Sequence, residues 1–179
     1  MIYTKTYIDG YFNALEKQFD SLLLIFKNLS FKNNDHVIFD IDEVCLCNLM
    51  YHGIDIPTFN TEIYNYNNGI IPAINECKKL FNFIHDNNIQ YSFITGRRDR
   101  IRQVTIDNLK LEGFSNYKYL FTCPDDYVGD IQLYKENCRT EIINKGYNIV
   151  CSIGDQLSDI YGTNTGLPIL IFNPFYVTK

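Results

Sequence analysis

The stretch Val37-Ile38-Phe39-Asp40-Ile41-Asp42-Glu43-Val44 limits what this chain can become more than any other. An apolar run of strand type stops abruptly in two aspartates one residue apart. Side chains at i and i+2 of a strand share a face. If the backbone stays extended, both carboxylates emerge together where the buried strand ends. Two such anions repel unless a cation or a shared proton stands between them. Mg²⁺, a hard ion that takes a few carboxylates and substrate phosphate oxygens, suits that place. The plainer alternative is a strand running into an acidic turn, so the rest of the chain has to decide.

Apolar side chains at Ile8, Tyr11, Phe12, Leu15, Phe19, Leu22, Leu23 and Phe26 predict an amphipathic helix over about 7–29. Lysines are sparse on its polar side, so residues 1–30 read as core or cap rather than as a membrane-surface helix. Residues 22–26 are apolar all round, and their far side is expected to dock as well. Further helices are predicted from Pro72 to about 86, over about 100–112 stopped by Gly113, and over about 133–145 stopped by Gly146. Strands are predicted from Val37, over 89–94, 119–122, 148–153 and 168–172. Residues 49–70 carry Gly53, Pro57, several asparagines and the aromatics Tyr51, Phe59, Tyr64 and Tyr66, without periodicity, and read as a small cap or lid. Apolar strands alternating with amphipathic helices predict an α/β chain, with a mainly parallel sheet covered on both faces. At 179 residues, a single domain is expected.

In such a sheet, ligands bind beyond the carboxyl ends of the strands. Asp40/Asp42, Thr95-Gly96-Arg97 and Asp155/Asp159 each stand just past a predicted strand, and Lys135 begins a helix from which it can reach in from the rim. Taken singly, each has a plain explanation. Asp155 and Asp159 could cap a helix, Thr95-Gly96 is an ordinary turn, a helix-start lysine is usually solvated, and Arg100 and Arg102 suit a solvated helix face.

Together these motifs resemble the four ordered motifs of the haloacid-dehalogenase (HAD) superfamily of phosphohydrolases. More narrowly, the chain is similar to the subfamily IIIB acid phosphatases, the group of plant acid phosphatases, vegetative storage proteins and bacterial lipoprotein acid phosphatases. That likeness rests on Phe39-Asp40-Ile41-Asp42-Glu43 with Asn48, on Thr105-x-x-Asn108-Leu109-x-x-x-Gly113, and on Tyr134-Lys135-x-x-x-Arg139. It also rests on Gly154-Asp155-Gln156-x-Ser158-Asp159 and Asn173-Pro174-Phe175-Tyr176. The resemblance implies a Rossmann-like α/β/α fold and a Mg²⁺-dependent phosphomonoesterase acting through an aspartyl-phosphate. Asp40 is then the nucleophile and Asp42 the general acid and base. Asp40, Asp42 (through its backbone carbonyl), Asp155 and Asp159 are the metal set. Thr95, Gly96 and Arg97 would surround the phosphoryl group, Lys135 would offset its charge, and Tyr64 or Tyr66 could stack a flat substrate group. Val44 departs from the usual threonine, at a position that chiefly helps to orient the second aspartate.

Composition narrows the partners. A net charge of −5 argues against a sequence-independent nucleic-acid binder. Six cysteines without a CxxC pair or zinc spacing read as packing thiols. The first residues lack the layout of a signal peptide, and no stretch nears about 18 consecutive apolar residues. An intracellular, cytoplasmic protein is therefore expected, with no membrane partner. Its partner would be a small phosphorylated substrate such as a nucleotide, and a homodimer is possible. The competing readings are a storage or phosphate-binding protein with a degenerate site, or a phosphoprotein phosphatase.

Overall fold

The computed structural model describes residues 4–48 and 70–177. The expected cap, with Tyr64, Tyr66, Phe59 and His52, falls outside the described residues apart from Ile70. Helix α1 (Lys5–Asn28) starts at Thr4, whose hydroxyl accepts the Tyr7 N–H, and buries the stripe Tyr11, Leu15, Phe19, Leu22 and Phe26. The far side of 22–26 does not dock: Leu24 is 63% and Ile25 45% exposed. The α/β alternation continues through β1 (Asp35–Phe39), α2 (Asn75–Asp86), β2 (Gln90–Arg98), a 3₁₀ turn over Asp99–Ile101, α3 (Arg102–Leu111) and β3 (Leu120–Cys123). It ends with α4 (Ile131–Asn144), β4 (Asn148–Gly154), the single turn α5 (Leu157–Ile160) and β5 (Leu167–Leu170).

The five strands form one parallel sheet in the order β3-β2-β1-β4-β5. Alternation along β1 shows how the layers form. Val37 and Phe39 join the larger core with α1, α2 and Leu109 of α3, while Ile38 joins Tyr134, Cys138 and Ile142 of α4 on the other face. A strand buried on both sides must read apolar at every position, and β1 is buried throughout. This is the three-layer α/β/α architecture expected. All six cysteines are free and buried, as packing thiols should be.

Several boundaries differ from expectation by a residue or more, among them the three that follow. The second helix begins at Asn75 rather than Pro72, because residues 72–74 run alongside the loop after β1. There Cys47 N–H donates to Pro72 C=O at 2.8 Å, and Ile74 N–H to Cys45 C=O at 2.8 Å. Strand β2 runs on to Arg98: its pairing with β3 breaks after Ile94 and resumes at Arg98–Cys123. Thr95-Gly96-Arg97 therefore occupies an irregularity within the strand rather than a turn after it, and such irregularities re-aim side chains. Strand β5 ends at Leu170, although Ile171 N–H still reaches Gly154 C=O at 2.7 Å.

Candidate active site

The loop after β1 is built by its backbone. Ile41 C=O accepts from both Cys45 and Leu46 N–H at 2.9 Å, and Glu43 N–H donates to Leu46 C=O at 2.8 Å. Glu43 takes φ 57 at the turn, an uncommon conformation for a residue with a Cβ. Its buried carboxylate accepts the Asn48 N–H at 2.9 Å, which helps hold the loop. Asp40 and Asp42 therefore lie on one short loop but face different cations.

Asp40 accepts from Lys135 Nζ at 2.7 Å. Asp42 is forked by Arg97, whose Nε reaches Oδ2 at 2.9 Å and whose Nη2 reaches Oδ1 at 2.6 Å. Asn48 Nδ2 adds a third contact to Oδ1 at 2.9 Å. Arg97 itself is steadied by Thr105 Oγ1 at 3.2 Å. The repulsion implied by two neighbouring carboxylates is thus relieved by two separate buried cations. Where the usual threonine is replaced, Val44 is packed wholly in the core, and Arg97 with Asn48 orients Asp42.

Strand β4 delivers the second acidic group. Asp155 follows its last residue and accepts from Gln156 Nε2 at 2.5 Å and Asn173 Nδ2 at 2.6 Å. Asp159 lies on α5, where one oxygen caps the Gln156 N–H at 2.9 Å and the other contacts Lys135 Nζ. The capping role considered for Asp159 is therefore real, and it leaves the second oxygen free to face the site. Gly154 is required by space. A Cβ there would stand 2.1 Å from the Asp159 Cβ. Arg139, wholly buried, donates to the carbonyls of Asp159, Tyr161 and Thr163 at 2.7–3.0 Å and holds the segment that carries Asp159.

Asp40, Asp155 and Asp159 offer carboxylate oxygens that all lie within 4.8 Å of one another. Lys135 contacts Asp40 and Asp159 but not Asp155, so with all three carboxylates ionised the cluster carries two negative charges in excess. Burial, the largest influence, pushes the Asp40 carboxyl well above the usual range, and Asp159, Asp155 and Asp42 push it further against the opposing pull of Lys135. Burial and Asp159 likewise raise Asp155 to about 7. Burial disfavours charge on Lys135, but Asp159 and Asp40 outweigh it and raise the amine above its ordinary value. An all-oxygen donor set with an excess charge of −2 suits a hard divalent cation, and this cluster could coordinate one.

Among the residues expected at the site, Asp40, Lys135, Asp155 and Asp159 come together, and Asp42 with Arg97 stands beside them. Lys135 is buried rather than solvated. The Asp42 carboxylate is not in the three-carboxylate cluster, and the Arg97 guanidinium lies on Asp42. Thr95 is buried with its hydroxyl accepting the Arg97 N–H at 3.2 Å, and Gly96 is exposed. Tyr64 and Tyr66 lie outside the described residues. Sequence reasoning assigned no role to Asn48, Asn173 or Tyr176. Tyr176 is half-buried, and its phenol is pushed well up by burial and by Asp155, Asp42, Glu43 and Asp40. Asn48 and Asn173 were visible only as parts of the family-like motifs, since a lone asparagine carries no spacing signal.

A parallel α/β sheet with a buried acidic cluster beyond β1 and β4 is consistent with a phosphohydrolase-type site. The chain belongs to the HAD superfamily, subfamily IIIB (acid phosphatase), whose model matches residues 1–179. It is 32% identical over 146 residues to acid phosphatase 1 of Solanum lycopersicum, covering 78% of this chain and 57% of that protein. It is 32% identical over 171 residues to a stem 31 kDa glycoprotein of Glycine max, covering 91% and 67%. Vegetative storage protein 1 of Arabidopsis thaliana is 28% identical over 187 residues, with 96% and 69% covered. The chain spans little more than half the length of the first of these relatives. The class C acid phosphatase of Bacillus anthracis shares the fold at a TM-score of 0.74 and 16% identity, with 94% of this chain and 80% of that one covered. Among the described residues, no helix is long and apolar enough to cross a membrane.

Proposed function

We propose that this protein is a Mg²⁺-dependent phosphomonoesterase working through an aspartyl-phosphate, with a small phosphorylated molecule such as a nucleotide as substrate. The observation that carries this reading is the convergence of Asp40, Asp155 and Asp159 on one point, with Lys135 against Asp40. In the proposed reaction, an Asp40 oxygen attacks phosphorus in line and the bond to the leaving oxygen breaks. Asp42 passes a proton to that oxygen, then takes one from the water that cleaves the Asp40–phosphorus bond. Arg97 and Asn48 occupy Oδ1, while Oδ2 accepts only from Arg97 Nε and keeps a lone pair on which Asp42 can carry the proton. Arg97 thereby becomes a positioning residue for the proton carrier. Lys135 offsets charge on the transferring group, and Thr95 and Gly96 line the phosphoryl oxygens. Asp40, Asp155, Asp159 and the Asp42 backbone carbonyl would hold Mg²⁺, which when bound would polarise the phosphoryl group and favour charged Asp40. A fold neighbour is the class C acid phosphatase of Bacillus anthracis with tungstate bound, which agrees with an oxyanion site in this fold.

A storage-type role has the names of two relatives behind it. The intact nucleophile and acidic set favour catalysis instead. Hydrolysis of p-nitrophenyl phosphate with Mg²⁺ and with EDTA separates the two. Metal-dependent turnover is expected, and a folded protein inert toward a panel of phosphomonoesters from pH 5 to 8 would support the storage role.

A further inference from the structure

Asp155 is held from two directions, and both holds fall on the same oxygen. Gln156 Nε2 donates to Oδ2 at 2.5 Å, and Asn173 Nδ2 donates to it at 2.6 Å. A carboxylate oxygen offers two lone pairs, so these two amides fill Oδ2. Among the described residues, none donates to Oδ1. Asn173 comes from the tail beyond β5, 18 residues further along the chain. Its amide has one orientation, because Oδ1 accepts the Phe175 N–H at 2.9 Å and leaves Nδ2 facing Asp155. Phe175 in turn lies edge-on against Tyr11 of α1, with ring centroids 4.8 Å apart, which anchors the tail. Asp159 repeats the pattern: Oδ2 accepts the Gln156 N–H at 2.9 Å, and Oδ1 is the oxygen that turns to Lys135.

We infer that Asn173 is a positioning residue for the cation: with Gln156 it fills one oxygen of Asp155, leaves only the other to a metal, and so makes the cluster favour Mg²⁺ over Ca²⁺. The inference rests on the metal site proposed above. Ca²⁺ gathers about six to eight oxygens in irregular geometry, often by taking both oxygens of one carboxylate. Mg²⁺ demands a near-ideal octahedron, which the narrow bite of a carboxylate does not fit. Asp155 could chelate the larger ion only by giving up two short hydrogen bonds. Removal of the Asn173 amide frees a lone pair on Oδ2 and lets the carboxylate turn. The larger ion then gains an oxygen, while the smaller ion loses a ligand that was fixed in advance.

Titration calorimetry of Mg²⁺ and of Ca²⁺ into the metal-free full chain, beside Asn173→Ala, tests this. The expected result is that Mg²⁺ binding weakens about 10- to 100-fold and Ca²⁺ binding weakens less. The ratio of the two dissociation constants then moves at least about tenfold toward Ca²⁺. Asn173→Ser keeps a hydroxyl to accept the Phe175 N–H but is too short to reach Asp155, and should move the ratio as far. Phe175→Leu loosens the tail and keeps the amide, and should leave the ratio where it was. Circular dichroism checks that each variant is folded. A wild type that binds Mg²⁺, with the ratio unmoved in both Asn173 variants, would overturn the inference and leave the metal site standing. So would a ratio that moves as far in Phe175→Leu, since placement of the tail rather than the amide would then be responsible. A folded wild type that binds neither ion would overturn the metal site and this inference together.

Discussion

Lys135 is the point on which the buried charges converge, since its ammonium lies against both Asp40 and Asp159. Removing one partner from a buried ionic group leaves uncompensated charge, at a cost of about 3–5 kcal/mol. Lys135→Ala is therefore expected to lose about that much stability in EDTA and distinctly less with Mg²⁺, as read by urea unfolding. Asp155 makes a pH-dependent counterpart. Its folded carboxyl is raised to about 7, by burial first and Asp159 next. Between about pH 4 and 7 the metal-free fold thus holds a proton that the unfolded chain has released, so this group makes the fold less stable as pH rises through that window. A divalent cation needs the proton gone. The rise in melting temperature on adding Mg²⁺ should accordingly be small near pH 5 and large near pH 8, and a shift equal at both would count against Asp155 as a ligand.

At the scale of elements, the site depends on how closely β4 approaches α5. Gly154 leaves the only room for Asp159, because a Cβ would stand 2.1 Å from the Asp159 Cβ. Gly154→Ala should push α5 outward, weaken Mg²⁺ binding about 10- to 100-fold and lower turnover in parallel, as titration calorimetry and a Mg²⁺ activation curve would show. The order of strands and helices was legible from alternation of apolar runs and helical stripes, because burial on both faces leaves a strand such as β1 no polar positions. The irregularity in β2 was not legible. Nothing in Ile94-Thr95-Gly96-Arg97 signals that pairing with β3 resumes at Arg98, since the resumed pair depends on where β3 lies. The start of α2 was misplaced for a similar reason. Pro72 fits a first helical turn locally, but its carbonyl is taken by Cys47, which is 25 residues earlier in the chain.

For the molecule as a whole, a fold made of two cores on one sheet brings together groups from positions as distant as 40, 97, 135, 155 and 173. The aspartates were legible because their spacing after apolar runs has few other uses. The forked Arg97–Asp42 pair was not, since a basic run at 97–102 reads equally well as a solvated face, and Arg100 and Arg102 are indeed exposed. The covalent role proposed for Asp40 ties these groups into one mechanism, and it can be observed directly. Enzyme turning over a phosphomonoester with Mg²⁺ would be quenched rapidly in acid, digested, and the peptide spanning 37–44 examined by mass spectrometry. The expected result is a phosphoryl group on Asp40, absent from Asp40→Asn, which should also lack turnover. Turnover that persists in Asp40→Asn, with no phosphorylated Asp40 in the wild type, would contradict the account.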